Sequence, residues 1–435
     1  MTERTMAPKA KKSRVKTKSK TSQAKRKTTQ KKSPARKKKP AAKSKPKSRA
    51  ATKKKTTRQK APSAKRSKPK AAPRKSGKAK VSAKTVSRAR AAVEAATQRS
   101  TESSQRAQLK TKPLSRKFLE ELAQAIKKAV APAIESLKGR EVVGQAYSGD
   151  MTFELDRIAE KALMQHLRVA KKPVAYYSED NGYTTFTSGQ PTNLLVIDPI
   201  DGTRAAKNGF EGCMVSVCST RVIERPTYGD LDNAYILDLV GNKAFYAERG
   251  QGAKFYVGGH NRKIKLSDNH DLEELSWAMS VPARPADLTF PTAARLIDLS
   301  SLKGGFFACN SSTYSLSRLV SSQLDAYVDF ANRYHRDLGV AVEDHFINAG
   351  RGSVVGVYPY DFVGALLVAQ EAGAIVTDAY GNGFDHVLLL DSTVSNQRSI
   401  IAAANPVLYE KLFSFFDTRI QQYETLLQKR YDASQ

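Results

Sequence analysis

Charge is distributed along this chain so unevenly that it divides the molecule before any motif is read. Residues 1–112 hold 41 Lys and Arg against Glu3, Glu94 and Glu102, a net charge of +38. The other 323 residues hold 33 basic and 38 acidic side chains, a net charge of −5. No aromatic residue precedes Phe118, and words such as "KKKPAAKSKPKSRAATKKK" contain no large apolar side chain. Such a segment has little area to bury against the entropy of ordering, and its charges repel one another. The chain is therefore read as a disordered Lys/Ala/Pro-rich arm, residues 1–112, followed by a folded domain, residues 113–435. Disorder is expected through about Lys80. Residues 81–97, "VSAKTVSRARAAVEAAT", lose proline and gain alanine, which suits a marginal or binding-induced helix.

A polycation of this density should condense on nucleic acid by counterion release. It lacks RGG repeats, interspersed aromatics, zinc-finger spacing and a recognition helix, so the expected contact is with backbone and is non-specific. Anionic membrane, polyphosphate and ribosomal surface are other partners of the same chemistry. The composition resembles the tails of linker histones and bacterial histone-like proteins. Three cysteines form neither a disulfide framework nor a zinc pattern, which fits a reducing compartment. No run of 18 apolar residues predicts a membrane span, and no apolar core of a secretory signal opens the chain. The expected location is cytoplasmic, with nucleoid or chromatin association through the arm.

In the body, apolar residues recur at helical spacing over 114–137 and 148–168, with Asp156 near the start of the second helix. "VAYYSEDNG" reads as a strand ending on acids, Glu179 among them. Then "LLVIDPIDGTRAAKNGF" places an apolar strand against Asp198. Pro199 cannot donate in a ladder, so the strand is expected to stop there. Further strands and Gly turns fill 212–266, and Asp361 heads a later helix. This alternation predicts a layered α/β fold rather than a barrel.

Carboxylates at the edge of an apolar strand are costly unless paired, hydrogen-bonded or bound to a cation. Several in one cleft raise one another's pKa, and a divalent cation resolves the conflict. Oxygen ligands without histidine suit Mg²⁺. Asp198 and Asp201 can turn into one volume, with the carbonyl of Ile200 between them, and Glu179 and Asp361 can join. The amides of Gly202 and Thr203 could take phosphoryl oxygens, while Asp156 and Thr203 could orient and deprotonate a water. Each acid also has a structural reading: Asp156 as a charge matched to a helix dipole, Glu179 as a turn acid, Asp361 as an N-cap.

The words "SGDMTFELDRIAE", "SEDNG", "DPIDGT", "ERGQGAKF", "SSTYSLSRL" and "YDFVGALLVAQEAGAIVTDAYG" occur in an order that resembles the inositol monophosphatase and archaeal-type fructose-1,6-bisphosphatase family of Mg²⁺-dependent, lithium-sensitive phosphatases. The resemblance implies an α-β-α-β-α sandwich, often dimeric. It implies Glu179, Asp198, Asp201, Asp361 and the Ile200 carbonyl as metal ligands, and Asp156 and Thr203 as the residues acting on the nucleophilic water. Gly202 and Thr203 would hold phosphate, and Asp329 would contact substrate hydroxyls. The implied reaction is hydrolysis of a phosphate monoester, inositol monophosphate or a related sugar phosphate, without a phosphoenzyme. Fructose-1,6-bisphosphate is the alternative substrate. A non-catalytic nucleic-acid-binding protein with a phosphatase-like body is the alternative function. Three departures stand out: Glu179 is followed by Asp180, Asp361 is preceded by Tyr360, and residues 331–358 replace a much shorter link. Within that insert Arg333, His335 and Arg336 could meet a second phosphate or lie on a solvated loop.

Overall fold

The computed structural model describes residues 81–98, 109–134, 136–145, 151–185 and 189–434. The disorder expected through about Lys80 falls outside these residues. Helices α1 (Ala83–Gln98) and α2 (Arg116–Ile134) lead into the hairpin β1 (Val142–Gln145) and β2 (Met151–Phe153). Then come α3 (Glu154–Ala170), β3 (Val174–Ser178), β4 (Gly182–Thr185), β5 (Asn193–Asp201), α4 (Thr203–Ala206), β6 (Met214–Thr220), β7 (Asn233–Asp238), β8 (Lys243–Glu248), β9 (Ala253–Val257) and β10 (His260–Arg262). The second half runs β11 (Ser276–Ser280), α5 (Ala286–Ser300), β12 (Gly305–Cys309), α6 (Ser312–Val320), β13 (Ala326–Asp329), α7 (Ala331–Leu338), α8 (Glu343–Ala349), α9 (Pro359–Glu371), β14 (Ile375–Thr377), β15 (Ile400–Ala403) and α10 (Pro406–Asp432). Among the described residues no helix is long and apolar enough to cross a membrane.

Eight strands form one sheet in the order β10-β9-β8-β7-β6-β5-β3-β4, antiparallel except for the β3–β5 pair. Five form a second, β12-β11-β13-β15-β14, in which β11 runs parallel to both neighbours. Helices α2 and α3 cover one face of the large sheet, with Leu119, Leu122, Ile126 and Leu163 fully buried against Tyr176, Leu195 and Val217. Helices α6 and α9 lie between the sheets, and α9 is apolar nearly all round because it is covered on every side. Helices α5 and α10 close the outer face of the second sheet around Trp277. The result is the α-β-α-β-α sandwich expected from the sequence.

Two features depart from the sequence reading. Strand β5 does not end at Asp198. It continues to Asp201 through an irregularity: Asp198 pairs with Ser216 and Asp201 with Met214, so two residues on β5 stand opposite one on β6. Pro199, which has no N–H to offer, sits in this bulge. Helix α1, read as part of the arm, packs on α10 of the body. Thr85, Ala89 and Ala92 are buried there, at positions i, i+4 and i+7 of one helix face. Thr85 Oγ1 donates to the buried Asp417 Oδ2 at 2.6 Å, and Arg88 Nη1 meets its Oδ1 at 3.0 Å.

Candidate active site

The bulge in β5 builds the site. In a regular strand, residues three apart face opposite sides of the sheet. One extra residue restores the parity, so Asp198 and Asp201 both line the same cleft, with Ile200 between them. Asp198 turns one oxygen back on the bulge, where Oδ1 accepts from Ile200 N at 2.9 Å. At the end of the strand, Gly202 adopts φ 93°, and a Cβ there would stand 2.3 Å from the Gly212 carbonyl oxygen. Only glycine makes that turn into α4, which brings Thr203 to the cleft.

Glu179 follows β3, the parallel neighbour of β5, and Asp361 lies in the first turn of α9. One oxygen each of Glu179, Asp198 and Asp361 lie within 4.8 Å of one another. Asp201 lines the same cleft, but its Oδ2 is taken by α6: it accepts from Ser311 Oγ at 2.8 Å and Thr313 N at 2.7 Å. Asp361 also serves as a helix cap, its Oδ2 accepting from Tyr358 N at 2.7 Å. Asp156 divides its carboxylate in the same way. Oδ2 accepts from Phe153 N at 2.7 Å, while Oδ1 accepts from Thr203 Oγ1 at 2.9 Å. The capping and site readings of these two acids are therefore not exclusive. An adjoining cavity, on the side of the β1–β2 hairpin, is lined by Asp156, Glu179, Asp198, Ile200 and Thr203. Asp180, next to Glu179, points to that hairpin and accepts from Thr152 Oγ1 at 2.9 Å.

The electrostatics are those of an anion cluster in need of a cation. Burial, followed by repulsion from Asp201, Glu179 and Asp361, pushes the Asp198 carboxyl well above the usual range. Burial and then Glu179 and Asp201 do the same to Asp361. Asp201 is pushed up by burial to about 6, with the Thr313 and Ser311 hydrogen bonds restraining the shift. The donor set contains oxygen alone and suits a hard divalent ion such as Mg²⁺.

The far wall holds residues that the sequence reading did not single out. Arg284 follows β11 and lines the cleft, donating to Asp329 Oδ2 through Nη2 at 2.7 Å and Nε at 3.2 Å. Asp329, at the end of β13, is buried behind it and is not among the lining residues. Nor are Arg333, His335 and Arg336. Arg333 is buried in α7 and donates through Nη1 to Ala379 O and Asp417 Oδ1, both at 2.8 Å. The insert instead contributes its return leg: Val355, Gly356, Val357 and Tyr358 form one wall. Buried Gln397 fastens that wall, donating through Nε2 to Val354 O at 2.7 Å and Tyr358 Oη at 2.8 Å. Tyr360 packs its ring against those of Tyr177 and Tyr358 beneath the site.

Comparison with known proteins agrees with this architecture. The family model described as the inositol monophosphatase family matches residues 114–421. A fructose-1,6-bisphosphatase/inositol-1-monophosphatase of Methanothermobacter thermautotrophicus is 23% identical over 300 residues, covering 67% of this chain and 92% of that protein. A bifunctional NADP phosphatase/NAD kinase of Methanococcus maripaludis is 24% identical over 308 residues, covering 68% of this chain; the chain spans 48% of that protein's length. The crystal structure of the extragenic suppressor protein suhB from Bartonella henselae superposes with a TM-score of 0.52 at 18% identity, over 69% of this chain and 97% of that one, a likeness of fold. By the extent of the family match, this chain belongs to the inositol monophosphatase family, a family of phosphatases.

Proposed function

We propose that the chain is a Mg²⁺-dependent phosphomonoester hydrolase acting on an inositol or sugar phosphate. The observation that carries this reading is the bulge that turns Asp198 and Asp201 into one cleft with Glu179 and Asp361. Glu179, Asp198, Asp201, Asp361 and the Ile200 carbonyl would hold the metal. When bound, Mg²⁺ supplies positive charge to the phosphoryl oxygens and lowers the pKa of water. Thr203 Oγ1 lies 2.9 Å from Asp156 Oδ1 and 3.1 Å from Ile200 O, and its single hydrogen can serve only one of them. With the Ile200 carbonyl engaged as a ligand, the hydroxyl donates to Asp156 and its lone pairs receive the water. As the water oxygen bonds to phosphorus, its proton passes through Thr203 to Asp156. The ester P–O bond breaks, and the departing alkoxide takes a proton from solvent. The amides of Gly202 and Thr203 hold the phosphoryl oxygens.

Arg284 favours a second reading of the substrate. Asp329 is engaged by this guanidinium, so the wall presents guanidinium donors where a polyol would want an acceptor. A second anionic group on the substrate, as in a sugar bisphosphate, fits that wall better than a neutral ring. The arm, by its charge, would bind nucleic acid through backbone contacts alone. Phosphate release from inositol monophosphate, fructose-1,6-bisphosphate and NADP, with and without Mg²⁺, tests the assignment. Mg²⁺-dependent turnover, falling by about 10³-fold or more in Asp201→Asn, is expected. Full activity of Asp201→Asn, or turnover indifferent to divalent ions, refutes it.

A further inference from the structure

Away from the catalytic cleft, a surface cavity of about 440 Å³ opens between α7 and the turn after β14. Two arginines face it from different elements, Arg336 on α7 and Arg398 just before β15, with His386 and Asn382 beside them. Among the described residues neither arginine forms an ion pair. Arg398 is held by neutral acceptors: Ser395 O at 3.2 Å, Gln397 O at 2.9 Å and Asn396 Oδ1 at 2.9 Å. Its Nε is buried without a partner. The two acids on the same walls are committed elsewhere. Asp378 accepts from Tyr380 N and Asn382 N, both at 2.8 Å, and from Asn382 Nδ2 at 3.2 Å. Asp337 accepts from Tyr380 Oη at 2.6 Å and Arg333 Nε at 3.3 Å. Burial, and then repulsion from Arg336, lowers the pKa of Arg398 even with Asp378 and Asp391 acting the other way. Two guanidiniums thus face one cavity without an ion pair, beside carboxylates whose hydrogen bonds go to other donors.

We propose that this cavity is a phosphate-binding site, distinct from the catalytic cleft, in which Arg336 and Arg398 clamp a phosphate group. Planar guanidiniums with several donors suit phosphate oxygens, and charge-assisted bonds are the strong ones. The cavity has room for more than inorganic phosphate, so the group is carried either by a small phosphorylated metabolite or by a nucleic-acid backbone. Its position suits both. Tyr380, on its wall, accepts through its carbonyl from Arg88 Nη2 at 2.6 Å, which joins the site to helix α1. Arg398 N donates to Val357 O at 3.1 Å, which joins the site to the insert wall of the catalytic cleft.

Calorimetric titration of the full-length chain with inorganic phosphate, in EDTA, tests this. Without divalent ions the catalytic carboxylates repel phosphate, and the arm's lysines contribute equally in every variant. Saturable binding is expected, weakened about tenfold or more by Arg336→Glu and by Arg398→Gln. Arg336 is exposed, so its replacement leaves the fold intact. Absence of saturable binding, or unchanged affinity in Arg336→Glu, overturns the proposal. Repeating the titration with duplex DNA already bound separates the sources. A backbone occupant blocks phosphate, and Arg336→Glu then reduces the salt slope of DNA binding by about one. With a free metabolite as occupant, phosphate binds as before and the slope is unchanged.

Discussion

Asp198→Asn separates the electrostatic cost of the carboxylate cluster from its capacity to bind a cation. The amide is isosteric and keeps an oxygen for the Ile200 N–H. What it removes is one negative charge among Glu179, Asp201 and Asp361. At the 4.8 Å limit of the cluster, two unit charges repel by about 3.5 kcal/mol at an effective dielectric of 20. Asp198 faces both Glu179 and Asp361, so with all three ionised the two repulsions come to about 7 kcal/mol. Proton uptake by the raised carboxyls relieves most of that, which leaves a net stabilisation of about 1–3 kcal/mol in the absence of metal. For a folded body of this size the gain is about 1–4 °C in Tm. In Mg²⁺ the order should invert. Wild-type protein gains about 2.7 kcal/mol at a hundredfold excess over Kd, whereas the variant has lost a ligand and gains far less. Thermal melts of both proteins in EDTA and in excess Mg²⁺ read the crossing directly. A variant that melts below wild type in EDTA, or that gains as much from Mg²⁺, refutes the account of the cluster as a cage held open by repulsion.

Glu160 on α3 is buried, and burial pushes its pKa to about 7, with Ser178 and Asn181 restraining the shift only in part. Its folded-state pKa is raised, so its contribution is full below about pH 4.5 and lost as pH rises through about 7. Glu160→Gln should therefore be more stable than wild type by about 1–3 kcal/mol at pH 8 in urea melts, and equal to it near pH 4; no difference at pH 8 contradicts this. A chain starting at residue 81 should melt like the full chain, whereas one starting at residue 109 loses the Thr85 and Arg88 contacts of buried Asp417 and should be about 2–4 kcal/mol less stable. Equal melts for the two would show that α1 contributes nothing. Full-length protein should bind duplex DNA with an affinity falling steeply with salt, and the chain starting at residue 81 should lose most of that binding; salt-insensitive or sequence-selective binding would overturn the polycation account.

The site was legible in proportion to how local its chemistry is. Asp198, Ile200, Asp201, Gly202 and Thr203 lie within one turn of chain, and their residue types alone point to a cation and a phosphoryl group. The bulge that makes them converge was misread as a strand end, although Pro199 carried the signal: inside a buried ladder, a missing N–H marks either a terminus or a bulge. The second carboxylate three residues on was the clue to which. Asp156 and Asp361 show why helix-cap and site readings could not be separated from the sequence. Each uses one oxygen for the backbone of its own helix start, and Asp156 gives its other to Thr203. Arg284, Ser311 and Thr313 were not legible. Each reaches its partner across 45 to 112 residues of sequence, and no local pattern reports such a contact.

The same holds for helix α1. Composition places residues 83–98 with the lysine-rich segment, because alanine contributes little to any hydrophobic count. Yet Thr85, Ala89 and Ala92 make a stripe whose small side chains let α1 lie close against α10, and the decisive contact is polar. Asp417 sits fully buried in α10 and accepts from Thr85, Arg88, Arg333 and Gln421. These bonds and charges hold the Asp417 pKa below its ordinary value against the opposing effect of burial, which is the largest single cause. Such a carboxylate is costly to leave half-partnered, so removal of α1 strains a joint that it shares with α7, the first helix of the insert. The insert's return leg is a wall of the catalytic cleft. Helix α1, insert and cleft are therefore mechanically consecutive. A helix that reads as marginal by composition is thus a packed part of the folded body.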